Sequence, residues 1–277
     1  MVAPAERWWN QPQLWVEVFA ILNIGFLTFD IYLAHNVNQF RNPAEYVPFF
    51  FSVSSSPVLI VALWFRTRRP MIWKLLGHVV GWSAILVGFA GVILHLQSHF
   101  FYERTLRSLT YSAPFAAPLA YTGLGFLLIM NRMVDSESLE WAQWVMLFTL
   151  GGFVGNFVFS VADHAQNGFF YPLEWLPVAA SAVAVGFLAV PLVMRVSPAF
   201  IKLCAAVLLL EAAVGLWGFL LHTDANLHGP SIHPFDNFVN GAPPMAPLLF
   251  PNLMVLGIIA LWQLRTSVMH PVNSPVS

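Results

Sequence analysis

The sequence predicts an all-α membrane protein: a polytopic helix bundle of about eight transmembrane helices, built from two parallel four-helix repeats. Three observations carry that expectation. The 277 residues are 58% hydrophobic and only 9% charged, with a mean hydropathy of +0.70, whereas a soluble domain is about 45–50% apolar and about 25% charged. Apolar stretches long enough to cross about 30 Å of hydrocarbon recur along the chain. Residues 35–48, HNVNQFRNPAEYVP, return without a gap as residues 164–177, HAQNGFFYPLEWLP, with His, Asn, Phe, Pro, Glu and Pro coinciding.

The elements follow in order. Residues 1–13 lack a basic n-region and a small-residue cleavage site, so they are expected to stay on the protein as a cytoplasmic segment rather than act as a signal peptide. The first repeat is expected over 14–135, with spans at 14–34, 47–65, 71–97 and 113–131. The second is expected over 136–265, with spans at 141–162, 173–194, 199–221 and 243–264, followed by a cytoplasmic tail at 266–277. A second pair of windows supports the duplication: SAPFAAPLAYTGLG at 112–125 lies over GAPPMAPLLFPNLM at 241–254, at the offset that relates His35 to His164. An even number of spans per unit makes the copies insert in the same direction, as parallel repeats.

Lys and Arg set the expected orientation. Arg7, Arg66, Arg68, Arg69, Lys74, Arg132, Arg195, Lys202 and Arg265 fall on one side of the eight-span arrangement, and Arg41, Arg104 and Arg107 on the other. Both termini are therefore expected in the cytoplasm of an inner (plasma) membrane protein, with the loops after spans 1, 3, 5 and 7 in the periplasm. The lipid bilayer is the first expected partner. A net charge of -1 without a basic patch speaks against nucleic acid. Cys204, the single cysteine, leaves neither a disulfide framework nor a Cys-ligated metal site. No retinal-type lysine in the last span, phosphate loop, Cys-X-X-Cys-His haem attachment or Gly-X-Ser-X-Gly elbow is present.

Every matched polar residue lands on the outer face in this topology, which makes that rim the candidate site. Asn42-Pro43-Ala44-Glu45 is a helix start with Asn at the cap and Pro at the first position, and Tyr171-Pro172-Leu173-Glu174 repeats it. Glu45 and Glu174 thus have a structural reading, complementing the helix dipole, and a functional one, touching a ligand or acting as general base. His95 and His99 stand four apart at the end of span 3, on one helical face. The constant offset gives Asp224 and His228 the same spacing in the second copy.

Adding His35 and His164 yields three candidate metal ligands per repeat, a set suited to zinc, copper or iron. One dinuclear centre made by all six residues is the alternative. Asn38 and Asn167 are expected to orient the imidazoles from behind. Asp163, next to His164, and His222 and His233 have no counterpart in the first copy at this offset. His233 lies in the longest outer loop, a candidate lid. Deeper in the chain, Glu211 and His78 are ionisable residues within spans. A polar network without metal is the plain reading of the histidines, and interfacial belts account for most of the tryptophans.

Three functions fit these features. The first is a membrane metalloprotein with a His/carboxylate site at the periplasmic face, acting as a redox or hydrolytic enzyme on an apolar or lipid-like substrate. The second is a non-catalytic subunit of a respiratory or photosynthetic membrane complex that binds haem or pigment, or serves as an accessory to larger subunits. The third is a transporter, for which the recurrent polar residues sit at one face instead of midplane.

Overall fold

The computed structural model describes residues 10–269, which contain helices and turns and no strand. The helices are α1 (Pro12–Asn36), α2 (Tyr46–Phe65), α3 (Pro70–Gln97), α4 (Phe100–Glu103), α5 (Leu106–Thr110), α6 (Leu119–Met133), α7 (Leu139–Gln166), α8 (Trp175–Val193), α9 (Pro198–Leu227), α10 (Pro234–Asn240) and α11 (Leu249–Met269). Single 3-10 turns, Pro43–Glu45, Pro172–Glu174 and Ala246–Leu248, lead into α2, α8 and α11. The cytoplasmic N-terminal segment and C-terminal tail expected from the sequence lie mostly outside the described residues.

Among the described residues, seven helical segments are long and apolar enough to cross a membrane: Pro12–Asn36, Pro43–Phe65, Pro70–Gln97, Leu139–Gln166, Pro172–Val193, Pro198–Leu227 and Ala246–Thr266. The eighth expected span, 113–131, is realised differently. It forms α6, whose 15 residues rise only about 22 Å at 1.5 Å per residue. Pro118 is the reason. A helix starting at Pro114 would set the Pro118 ring against the Pro114 carbonyl, four residues back, so residues 111–118 run through turns and α6 begins after Pro118. Residues 127–132 of this short helix are buried throughout, because α1, α3 and α7 enclose it.

One packing order occurs twice. α1 lies against α2, α2 against α3 and α3 against α6; α7 lies against α8, α8 against α9 and α9 against α11. The α3–α6 contact is made possible by Gly77, Gly81, Ala84, Gly88 and Gly91, a 4-3-4-3 series that presents one face of small residues. A Cβ on Gly88 would stand 2.8 Å from Pro118 O. On α9 the corresponding series is Cys204, Leu208, Glu211, Gly215 and Gly218. A Cβ on Gly215 would stand 2.5 Å from Pro247 O, on the segment leading into α11.

A buried polar network ties α1, α3, α6 and α7 together at the end of the bundle away from the 3-10 turns. Arg132 Nη2 donates to Glu17 Oε1 at 2.5 Å, with both side chains fully buried. The same guanidinium donates to Leu128 O at 2.9 Å and Trp73 O at 3.3 Å, and lies 4.6 Å from the centre of the Trp73 ring. Asn131 Nδ2 donates to Gln13 O at 3.0 Å and Glu17 Oε2 at 3.4 Å, while Trp141 Nε1 donates to Asn131 Oδ1 at 3.2 Å. The pair is satisfied on all sides, the condition under which a buried ion pair is tolerated.

Removing one charge should therefore be costly. Glu17→Gln is expected to destabilise the protein by about 3–5 kcal/mol, because Arg132 remains charged without a counter-ion. Gly77→Ala should act through the same pair, since its Cβ would fall 1.6 Å from Arg132 Nε. The double change Glu17→Met with Arg132→Leu, which installs the residues found 129 positions later, should recover most of the loss. Thermal unfolding of the detergent-solubilised protein measures all three; a Glu17→Gln variant as stable as wild type would refute the reading.

Candidate functional site

The opposite rim gathers the repeated polar residues. His35 is in the last turn of α1, and beyond Asn36 the chain reverses through two consecutive left-handed residues, Gln39 (φ 59°) and Phe40 (φ 51°). The Phe40 N–H returns to His35 O at 3.1 Å. The corner after α7 has the same shape: Gly168 (φ 72°) and Phe169 (φ 53°), with the Phe169 N–H on His164 O at 3.0 Å. Left-handed backbone costs roughly 1–2 kcal/mol per non-glycine residue, and such outliers gather where a site needs a particular placement. Here they place an aromatic ring beside each histidine. Phe40 is 5.7 Å from His35 and stacks on Tyr46 at 4.9 Å. Phe169 is 6.1 Å from His164 and stacks on Trp175 at 4.0 Å.

The glutamates come next along the chain. Asn42 caps the 3-10 turn by accepting from the Ala44 N–H at 3.0 Å, and Pro43 starts it, so Glu45 lies beneath α2. Asn38 Nδ2 donates to Glu45 Oε1 at 2.7 Å, and Asn167 Nδ2 donates to Glu174 Oε1 at 3.1 Å. The two asparagines thus hold the carboxylates, where the sequence had them orienting imidazoles. The second oxygens, Glu45 Oε2 and Glu174 Oε2, are buried without a hydrogen-bond partner, as is His35 Nδ1. His164 Nδ1 lies 4.0 Å from Glu174 Oε2.

The second imidazole of each cluster comes from the helix that carries the glycine series. His95 Nδ1 bonds Pro114 O at 2.9 Å, and its ring is 6.2 Å from that of His35. His222 Nδ1 bonds Pro243 O at 2.8 Å, and its ring is 6.4 Å from that of His164. The receiving carbonyls are free for a reason visible in the chain. Pro114-x-x-x-Pro118 and Pro243-x-x-x-Pro247 each end in a proline that has no N–H to offer the carbonyl four residues back. A carbonyl only accepts, so Nδ1 must carry the proton and the Nε2 of a neutral ring keeps its lone pair.

Two clusters result: His35, His95, Glu45 and Asn38 in one, and His164, His222, Glu174 and Asn167 in the other. The structure does not bring His99 to the first. α3 stops at Gln97, so the four-residue spacing spans a helix end and not a helix face. His99 stands just before α4 without capping it and pairs with Glu103 at 3.8 Å in an open groove with Ser98, Arg107 and Tyr111. Asp224 and His228, four apart at the end of α9, do meet at 3.3 Å, but both are about three-quarters exposed and belong to neither cluster. Asp163 lines a narrow cleft between α7 and residues 109–116. His233 is exposed at the cap of α10. His78 Nδ1 bonds Lys74 O at 2.7 Å within α3, far from the rim.

His222 is the residue that the constant offset missed. His95 to Pro114 spans 19 residues and His222 to Pro243 spans 21. An alignment allowing two extra residues in the second crossing loop pairs Gly88 with Gly215, Gly91 with Gly218 and His95 with His222. The Pro-x-x-x-Pro spacing was the signal that could have found it.

Among the described residues, no three His, Cys, Asp or Glu side chains stand close enough to enclose a metal ion as they are placed. What each cluster offers is a set of lone pairs: one imidazole held by a carbonyl, a second imidazole, and a carboxylate oxygen. The carbonyl contacts carry an expectation of their own. His95 and His222 should both populate the Nδ1–H tautomer, read from their 15N chemical shifts in labelled protein; a predominance of the Nε2–H form would contradict the hydrogen bonds to Pro114 and Pro243. Comparison of the chain with models of known protein families, with curated proteins and with solved structures yields no match.

Proposed function

We propose that the chain is an integral membrane metalloprotein of two parallel four-helix repeats, α1, α2, α3 and α6 against α7, α8, α9 and α11, with one transition-metal site per repeat. The ligands are His35, His95 and Glu45 in the first and His164, His222 and Glu174 in the second. One observation carries the reading. Buried lone pairs without a protein partner, on His35 Nδ1, Glu45 Oε2 and Glu174 Oε2, lie beside histidines whose Nδ1 is engaged by a backbone carbonyl. Metal-bound histidines characteristically have this arrangement, with the remote ring nitrogen on a carbonyl and the other facing the ion. Buried polar atoms otherwise find partners.

Two imidazoles and one carboxylate suit zinc, copper or iron, and three protein ligands leave a position open for water or substrate. A metal there would supply Lewis-acid or redox chemistry. The chain's own contribution is to hold each carboxylate through Asn38 or Asn167 and to shield each histidine with Phe40 or Phe169. The open side faces the membrane boundary, where Phe170, Tyr171, Trp175 and Tyr46 are exposed, which favours an apolar or lipid-like substrate. Arg66, Arg68, Arg69, Lys74, Arg195, Lys202 and Arg265 belong to the opposite end, and this positive-inside bias supports a periplasmic side for the clusters and cytoplasmic termini in an inner-membrane protein.

Elemental analysis and an absorption spectrum of purified protein test the proposal. About two metal ions per chain are expected; His95→Ala and His222→Ala should each lose one, and His99→Ala and His228→Ala none. A Soret band in place of a metal ion would transfer the histidines to haem. Absence of both metal and chromophore, or equal metal loss on changing His99, would end the two-site reading.

A further inference from the structure

Glu211 lies in α9 with 0% of its surface exposed, and neither carboxylate oxygen has a hydrogen-bond partner. Among the described residues it is one of two fully buried glutamates, and the two are held differently. Glu17 meets Arg132 at 2.5 Å and Asn131 at 3.4 Å. Glu211 meets no cation. It lies in the series Cys204, Leu208, Glu211, Gly215 and Gly218, between Leu208 and Gly215, which both pack on α11, and at the place that Ala84 takes on α3. The seam around it is closed: a Cβ on Gly257 would lie 2.7 Å from Leu208 Cδ1, and one on Gly215 2.6 Å from Phe250 Cβ.

The elements packed on α9 are α8, α10, α11 and the Ala246–Leu248 turn. α8 contains no titratable residue and neither does the turn. α11 contributes only Arg265, eight residues beyond Gly257 and thus about 12 Å farther along that helix. α10 contributes Asp236, at the rim. On α9 itself, Lys202 and His222 are nine and eleven residues from Glu211, about 13 and 16 Å of helix rise, with Cys204 and Asp224 the other titratable groups. No positive charge is placed to compensate a carboxylate here. Asn156 Nδ2 on α7 and Ser181 Oγ on α8 are also buried without partners, so the interior of this four-helix group holds several polar atoms with unfilled hydrogen-bonding capacity.

An ionised carboxylate without a counter-charge inside a bilayer-spanning bundle is strongly disfavoured. We propose that Glu211 is an intramembrane proton-binding site, a neutral carboxylic acid at neutral pH whose ligand is the proton itself. A single carboxyl in a closed seam offers no cage for a larger cation. The site lies on the same face of α9 as His222, three turns away, with only the glycines 215 and 218 between them on that face. The inference is independent of the metal reading, because it concerns a different end of the seam.

Infrared difference spectroscopy of the full chain at neutral pH tests it, on protein both with and without added chelator so that rim metal has no bearing on the outcome. Wild type minus Glu211→Gln should show one carboxylic-acid C=O band, whereas wild type minus Glu17→Gln should show none. Glu211→Asp, a smaller change should the Gln variant fail to fold, should shift that band rather than abolish it. Loss of a carboxylate band in Glu211→Gln, or an unaltered acid band in Glu211→Asp, would overturn the assignment.

Discussion

The Glu17–Arg132 pair is the constraint on which the arrangement of the first four helices depends. A charge on either residue alone would be untenable inside a bundle, so the two must meet, and the route to that meeting is narrow. Arg132 extends from the end of α6 across the face of α3, and only a glycine at position 77 leaves it room. The guanidinium uses its remaining donors on Leu128 O and Trp73 O. Trp141, at the start of α7, is drawn in through Asn131. One ion pair therefore sets the register of α1, α3 and α6 and anchors the entry to the second group of helices. With its base fixed, α6 can be short, and the prolines that shorten it deliver a free carbonyl to His95 at the rim.

Backbone irregularity does most of the work at that rim. A regular helix has no spare carbonyl, and a regular turn does not carry a bulky aromatic into left-handed space. Each cluster uses both departures. A proline four residues after another frees an acceptor that settles the tautomer of His95 or His222, and a left-handed corner folds Phe40 or Phe169 over the other imidazole. The asparagine three residues after His35 or His164 then grips the glutamate of the following 3-10 turn. All these devices are local in sequence except the meeting of the two helices, which the small-residue seam of α3 and the glycines 215 and 218 of α9 secure. Two distant histidines can share a cluster because the helices bearing them come close enough to let backbone touch backbone.

Much of this was legible in the chain. Composition and apolar length identified the membrane bundle, and the match between residues 35–48 and 164–177 located both glutamates, both asparagines and one histidine of each cluster. The shortfalls have physical causes. A single span over 113–131 runs through Pro118, and Pro114 and Pro118 cannot both sit within one regular helix without loss of a hydrogen bond. α3 ends at Gln97, so His95 and His99 share no helical face, whereas Asp224 and His228 do meet at the end of α9 but on its exposed side, and a rigid offset that pairs them with His95 and His99 hides His222. Nothing local marks Glu17, whose partner stands 115 residues away.

The two groups of helices have diverged in how they treat buried charge, and the divergence is reciprocal. Positions 129 residues after Glu17, Asn131 and Arg132 hold Met146, Ala260 and Leu261, all buried, so the entire network is replaced by apolar packing instead of being half removed. This is the exchange that costs little, since no charge is orphaned. On the seam the exchange runs the other way: Ala84 packs with Tyr121 and Ile31, and the hydroxyl of Tyr121 satisfies Ser52 and bonds Pro48 O at 2.9 Å. In the second group Phe250 stands where Tyr121 would, Ser181 has no partner, and Glu211 replaces the alanine. The first group thus pairs its buried glutamate with a cation and bonds its seam hydroxyls at Ser52 and Tyr121, whereas in the second Glu211 and Ser181 are buried without partners. Similar rims on unlike interiors mean that the two clusters, alike in their side chains, are supported differently from below.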